Sequence, residues 1–474
     1  MRRVAVPLGS IAAVAAVLGT TLVMHGDKAQ AKRSDMSVAL TGVNVVDVRS
    51  GHILPHRTVI ISGNSIIAIQ DASAPLRPDT EVVPSFGKYL LPGLWDMHVH
   101  VTDERYLHSF VANGVTGVRD MGGGLDEPSD GCESVKPSIL LGWRSEVAAG
   151  RRIGPELVIS GPVVSGSGWP SSLAVRSPGE AKLAVRTLKR SKVDFIKVYE
   201  RIPLRAYEML ASEAKRNGLP FAGHLPEDVA PIVAIRAGQR SIEHIRDALL
   251  VCFTSDLSEL ERFFAEDGWS DEDKRWGRAA NGSCPALLRE MREKEAWLTP
   301  TLTVEKAKVS VENAAYVQDM RRRFLPQSVR NGFSAYAKRK LAQAPSDRAS
   351  ERLWWRTQQK WVKRMSDERV KLLAGTDAAC EGGLPGYSLH GELMEMVAAG
   401  LSPLNALRAA TLEPARYFGR GDEGEVKAGH RANLLLLDAN PLTNIGNTQR
   451  IHAVILNGKV LRRANLDELV RRPR

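Results

Sequence analysis

The chain has 474 residues, 43% hydrophobic and 25% charged, a balance that excludes a disordered or fibrous protein and suits either two domains or one large α/β barrel with additions. Its formal charge is +11, yet residues 321–371 alone hold fifteen Lys or Arg against four Asp or Glu, an excess equal to that of the whole chain. A charge so localised argues against the broadly basic surface of a nucleic-acid binder.

Arg2 and Arg3 precede an apolar run from Val4 to Met24, and Ala29-Gln30-Ala31 follows. This order reads as a secretory signal peptide over residues 1–31, cleaved before Lys32. The run is nearly long enough to be an uncleaved membrane anchor, but the A-x-A site favours cleavage. The mature chain is therefore expected to be exported, periplasmic or secreted, with no stable membrane span. Cys132, Cys252, Cys284 and Cys380 would then meet an oxidising compartment. Cys252 and Cys284 flank one insertion and are the expected pair, with buried free thiols as the alternative.

From Val38 to Pro92 short runs rich in β-branched residues, such as Val43–Val46, Thr58–Ile61 and Ile66–Ile69, are punctuated by Gly51, Gly63-Asn64 and Gly87-Lys88. The same texture returns at Asn433–Leu437 and Ala453–Val460. The two ends are expected to pair into one small β-sandwich, residues 36–92 with 415–466. Between them strand and helix alternate. Strands are expected at Gly93–His98, Val115–Asp120, Leu157–Ser160, Phe195–Tyr199, Phe221–His224, Ser241–His244, Leu298–Thr301 and Leu372–Thr376, with helices such as Glu180–Arg190 and Leu204–Asn217 between them. The fold class is thus α/β, a (β/α)₈ TIM-like barrel over residues 93–414. Helical insertions are expected at about 246–296 and 305–368. A barrel of this kind carries its site at the C-terminal ends of the strands.

Asp96-Met97-His98-Val99-His100 is the sharpest motif. Residues i and i+2 of a strand share a face, so His98 and His100 both point inward at the top of the first barrel strand, half of a metal site. His224 and His244 end two further strands, and Asp377 follows a third. Lys197 interrupts the otherwise apolar Phe195–Tyr199, and a buried ammonium is costly unless paired. Tyr199 shares the inward face of Lys197. Trp354 and Trp361 are read as packing residues, and segment 321–371 as a solvated helical face rather than an anion-steering surface.

Leu91–His100 together with Gly375-Thr376-Asp377-Ala378 resembles the amidohydrolase superfamily. Phe195–Tyr199, Ile242-Glu243-His244, Ser388–Leu393 and Gly400–Pro403 resemble its imidazolonepropionase-related branch, which includes Xaa-Pro and other dipeptidases. The resemblance covers nearly the whole mature chain, although Leu249–Glu295 departs from the pattern. It implies two divalent cations, with Zn²⁺ best suited and Mn²⁺, Co²⁺ or Fe²⁺ also compatible with the ligands. His98, His100 and Asp377 would hold one and His224 and His244 the other. Lys197, carboxylated by CO₂, would bridge them.

The resemblance further implies hydrolysis of an amide-type C–N bond, with Asp377 moving the proton and Tyr199 assisting the oxyanion. Tyr199 and His390 would face substrate, although for His390 loop packing is an equal alternative. The expected substrate is a dipeptide or N-acyl amino acid bearing a carboxylate. A lactone or ester hydrolase on the same site, or a non-catalytic binding protein on the same fold, are the rival readings. No nucleic-acid partner is expected, and a homo-oligomer is left open.

Overall fold

The computed structural model describes residues 37–122, 134–166, 172–245 and 284–471. The expected signal peptide lies outside these residues, as do Cys132, Cys252 and most of the expected 246–296 insertion. Among the described residues no helix is long and apolar enough to cross a membrane.

The N-terminal region forms β1 (Ser37–Val46), β2 (Ile53–Ser62), β3 (Ser65–Asp71), β4 (Glu81–Pro84) and β5 (Tyr89–Pro92). The middle of the chain supplies β6 (Leu94–Val99), β7 (Val115–Asp120), β8 (Glu156–Ile159), β9 (Val164–Ser165), β10 (Leu173–Ala174), β11 (Ile196–Val198), β12 (Phe221–Gly223), β13 (Ser241–Glu243), β14 (Trp297–Thr299) and β15 (Lys371–Leu372). These ten strands form two parallel sheets, β6-β7-β8 and β10-β9-β11-β12-β13-β14-β15. Backbone hydrogen bonds join the sheets at two edges. Asp194 N donates to Ile159 O at 2.8 Å, while Met97 N donates to Ala374 O at 2.9 Å and Asp377 N to His98 O at 2.8 Å.

All eight expected barrel strands are present, Val115–Asp120 with the expected bounds and the other seven with shifted ends. The largest shift is at Leu372–Thr376, where the strand proper is Lys371–Leu372 and the chain runs on through single bonds to β14 and β6. β9 and β10 are an addition, since two-residue strands carry no readable periodicity.

Parallel strands buried on both faces sort their side chains by alternation. In β11, Ile196 and Val198 join the large core beneath the helices, while Phe195, just before it, joins an inner cluster with Trp95, Met97, Ala222, Trp297 and Leu373. The helices Pro178–Arg190 and Leu204–Arg216 fall where the spacing predicts them. Ser177 caps the first by accepting a hydrogen bond from Glu180 N at 3.3 Å. The expected insertion at 305–368 is helical, chiefly Gln327–Leu341 and Pro345–Asp367. Trp354 and Trp361 are buried in it, as packing residues should be.

The helix Leu412–Phe418 crosses the expected domain boundary at 415. Beyond it come β16 (Leu434–Leu437), β17 (Ile451–Leu456), β18 (Lys459–Arg462) and a last helix, Arg463–Arg471. The two ends of the chain share one sheet of eight strands, because β16 pairs antiparallel with β5. That sheet has its own apolar cluster, including Leu40, Val59, Ile61, Leu90, Leu434 and Ile455. Cys284 is disulfide-bonded and Cys380 is a buried thiol.

Candidate metal centre

The candidate centre sits where β6, β11, β12 and β13 end and where the chain leaves β15. Two close approaches put these ends together. Gly375 passes so near β6 that a Cβ there would come within 2.7 Å of His98 Cβ and 2.5 Å of Thr299 Cγ2. Gly223, at φ +144°, stands where a Cβ would lie 2.1 Å from Val198 O. Asp96 ties the last segment down, accepting from Thr376 Oγ1 at 2.7 Å and Thr376 N at 3.1 Å.

His98, His100 and Asp377 meet directly. His98 Nε2 lies 3.3 Å, and His100 Nε2 3.1 Å, from Asp377 Oδ1. One donor atom from each of the three lies within 4.8 Å of the others, a possible metal site. The ring of His244 lies 4.8 Å from that of His98 and 4.9 Å from that of His224, centroid to centroid. Tyr199 packs its ring 4.4 Å from His224. Lys197 is buried, and its charge acts on His100, His224 and His244.

The orientation of the imidazoles is set from behind. His98 Nδ1 lies 2.9 Å from Glu243 Oε2, His100 Nδ1 lies 3.0 Å from Gly122 O, and His244 Nδ1 lies 2.7 Å from Thr301 Oγ1. A backbone carbonyl and a carboxylate can only accept, so Nδ1 of His100 and His98 must be the protonated nitrogen. In the neutral rings this leaves a lone pair on Nε2, turned toward a carboxylate. Electron-pair donors that face one another repel unless a cation lies between them. His98 Nε2 is buried and, among the described residues, has no hydrogen-bond partner. The donor set therefore fits a divalent cation held by imidazole and carboxylate.

Burial pushes the imidazoles of His224 and His244 down, the first well below its ordinary range and the second to about 3, so both rest in the neutral, ligating form. Burial also lowers the Lys197 ammonium to about 8, against the opposing pull of Glu243 and Asp377. Burial alone would raise Asp377, but where the facing imidazoles of His98 and His100 carry a proton on Nε2, their charge and hydrogen bonds outweigh it and hold the carboxyl well below the usual range.

A buried network that the sequence reading did not single out supports this group. Glu243 accepts from Arg119 Nη2 at 2.7 Å and from Ser241 Oγ at 2.5 Å. Arg119 also donates to Met97 O, Ser241 Oγ, Tyr417 Oη and Thr299 Oγ1. Glu243 and Arg119 are completely buried. The signal was present in that Arg119 and Glu243 each fall within a short strand expected to be buried.

His390 is not brought to the group. Its Nδ1 engages Thr448 Oγ1 at 3.0 Å and its Nε2 Asn113 O at 3.0 Å, so both nitrogens are used within the packing of its helix. Of the two readings of His390, these hydrogen bonds favour loop packing.

A model of the amidohydrolase family matches residues 89–461 of this chain. Among solved structures, the bottromycin amidohydrolase superposes with a TM-score of 0.72 at 23% identity, over 91% of this chain and 88% of that one. A Xaa-Pro dipeptidase with methionine bound in its active site gives 0.63 at 18% identity, over 90% and 99%. These likenesses imply a TIM-barrel-type domain with a second domain. An adenine deaminase of Moorella thermoacetica is 45% identical over 62 residues, 13% of this chain and only 10% of the deaminase's length.

Proposed function

This chain belongs to the amidohydrolase family, and on that premise we propose that it hydrolyses an amide-type C–N bond with two divalent cations at the barrel mouth. The carrying observation is the convergence of His98, His100 and Asp377 on one point, with both histidines oriented by oxygens behind them. In this reading the parallel strands make a (β/α)₈ barrel, and the end strands make a small sandwich. His98, His100 and Asp377 hold one cation, and His224 and His244 the other.

Lys197 fits as the shared ligand. Burial lowers its pKa to about 8, which makes the neutral amine accessible. That amine adds to CO₂, forming an N–C bond and releasing one proton, and the resulting carbamate is an anionic oxygen donor. A costly buried ammonium becomes a compensated ligand.

When bound, such cations polarise a carbonyl and lower the pKa of water from about 15.7 to about 7. The chain supplies the rest. Asp377, kept ionised by its neighbours, takes the proton from the attacking water and passes it to the leaving nitrogen. The Tyr199 hydroxyl donates to the carbonyl oxygen as negative charge grows on it. The Glu243–Arg119 pair holds His98 in one tautomer and one direction.

The substrate class we infer is a dipeptide or N-acyl amino acid, supported by the resemblance of the strand motifs and by the Xaa-Pro dipeptidase among the fold neighbours. Residues 1–31 read as an export signal, which places the enzyme outside the cytoplasm. A screen of Zn²⁺-loaded protein against dipeptides, N-acyl amino acids, lactones and adenine tests the reading. Turnover of the first two classes is expected, with two metal equivalents by elemental analysis. Turnover confined to lactones or adenine would overturn the substrate class, and fewer than one metal equivalent would overturn the centre.

A further inference from the structure

A cavity of about 440 Å³, with none of the candidate centre's residues in its lining, lies between the helix Arg105–Ala112, the turn Met320–Phe324, the segment Leu384–Tyr387 and the C-terminal helix Arg463–Arg471. Its size falls within the range of small-molecule sites, roughly 300–1,000 Å³. Arg105, Arg321, Arg323, Arg463 and Arg471 line it, and among the described residues no Asp or Glu does. Tyr106, Leu325, Leu384, Leu469 and Val470 give it an apolar wall.

Three of the arginines come from different elements and are fixed in the same way. Asp103 takes Nε and Nη2 of Arg105 at 2.7 and 2.8 Å, and Asp467 takes Nε and Nη2 of Arg463, both at 2.8 Å. Asp319 takes the same two nitrogens of Arg321, with Nε at 2.8 Å. In each case Nη1 has no partner among the described residues. Arg321 is further stacked on Tyr387, 3.3 Å from the ring centroid, and Tyr387 is anchored by a 2.7 Å hydrogen bond to Gln449.

Guanidinium groups clamped on one edge and open on the other are preorganised, so little side-chain freedom is lost when an anion binds. Asp103, Asp319 and Asp467, which hold them, are not among the lining residues, so among the described residues the lining carries guanidinium groups and no acid.

We propose that this cavity is a second binding site, for a small amphipathic anion with a carboxylate or phosphate head and an apolar body. The head engages the open Nη1 edges, and the body lies against the leucines and tyrosines. The walls include the helix that follows His98 and His100 and the segment that follows Asp377, so an occupant would tie both to the C-terminal helix.

Calorimetric titration of the full chain with hexyl phosphate, hexanoate and inorganic phosphate tests this. Saturable binding of at least one of the two amphiphiles is expected, at one site per chain and more tightly than inorganic phosphate, and the tighter of the two identifies the head group. Arg463→Glu and, on a separate element, Arg323→Glu should each weaken it by about tenfold or more, the worth of one charge-assisted hydrogen bond. Asp377→Asn in the presence of chelator should leave it unchanged. The proposal is overturned if neither amphiphile saturates, if both Arg variants bind like the parent, or if Asp377→Asn abolishes binding.

Discussion

The barrel mouth and the helical segment 321–371 are both rich in charge, and they treat it in opposite ways. At the mouth Glu243 and Arg119 are wholly buried, and each engages several partners. In the helical segment Arg352 and Lys363 keep about two fifths of their side-chain surface in water and pair with one acidic residue each, Glu312 and Asp367. Burying a charge costs several kcal/mol unless it is fully met, whereas a solvated pair gains or loses little. The density of charge along a sequence therefore says less about function than its burial does.

Four substitutions test that contrast. The largest effect is expected from Asp377→Asn, which removes the residue proposed to carry the proton and a candidate ligand. Turnover of the metallated protein should fall by about 10³-fold or more, with circular dichroism unchanged. Activity near the parent's would refute the role given to this residue. Next is Glu243→Gln, which leaves Arg119 buried without its anion. We expect a loss of about 3–5 kcal/mol in the denaturant-unfolding free energy of the metal-free protein. A change no larger than at the surface would erase the distinction between the two regions.

Glu392 gives an effect read in pH. Its buried carboxylate accepts from Leu302 N at 3.0 Å and from Thr303 N at 2.8 Å, and burial raises its pKa from 4.5 to about 8. A raised folded-state pKa contributes stability in full below 4.5, and that contribution is lost as pH climbs through about 8. The melting temperature should fall across this window, and fall less in Glu392→Gln. Parallel curves for the two proteins would show that the carboxyl does not hold its proton. The smallest effect belongs to Arg352→Ala, which breaks an exposed pair with Glu312 and should cost no more than about 0.5 kcal/mol in the same unfolding assay.

Much of the candidate centre is legible in the amino-acid sequence. His98 and His100 declare themselves by strand spacing, and His224, His244 and Asp377 by their position at strand ends. Other parts are hidden for definite reasons. Glu243 and His244 are neighbours, and strict alternation would send one inward and the other outward. His244 instead has φ +60°, a left-handed conformation, and this turns its ring into the mouth while Glu243 still reaches His98 from within the barrel. Asp377, at φ +57°, turns in the same manner. Such backbone costs about 1–3 kcal/mol at a non-glycine residue and persists only where the surroundings enforce it.

The order of strands and helices, and the candidate ligands among the side chains, can be read along the chain, because periodicity and residue type are local properties. Tertiary structure alone decided which of them meet. His98 finds Glu243 across 145 positions, while His390, equally plausible as a string of letters, spends both nitrogens on Thr448 and Asn113. Contacts of that range depend on how close two backbones can pass, as Gly375 does beside His98, and spacing along a chain carries no record of it.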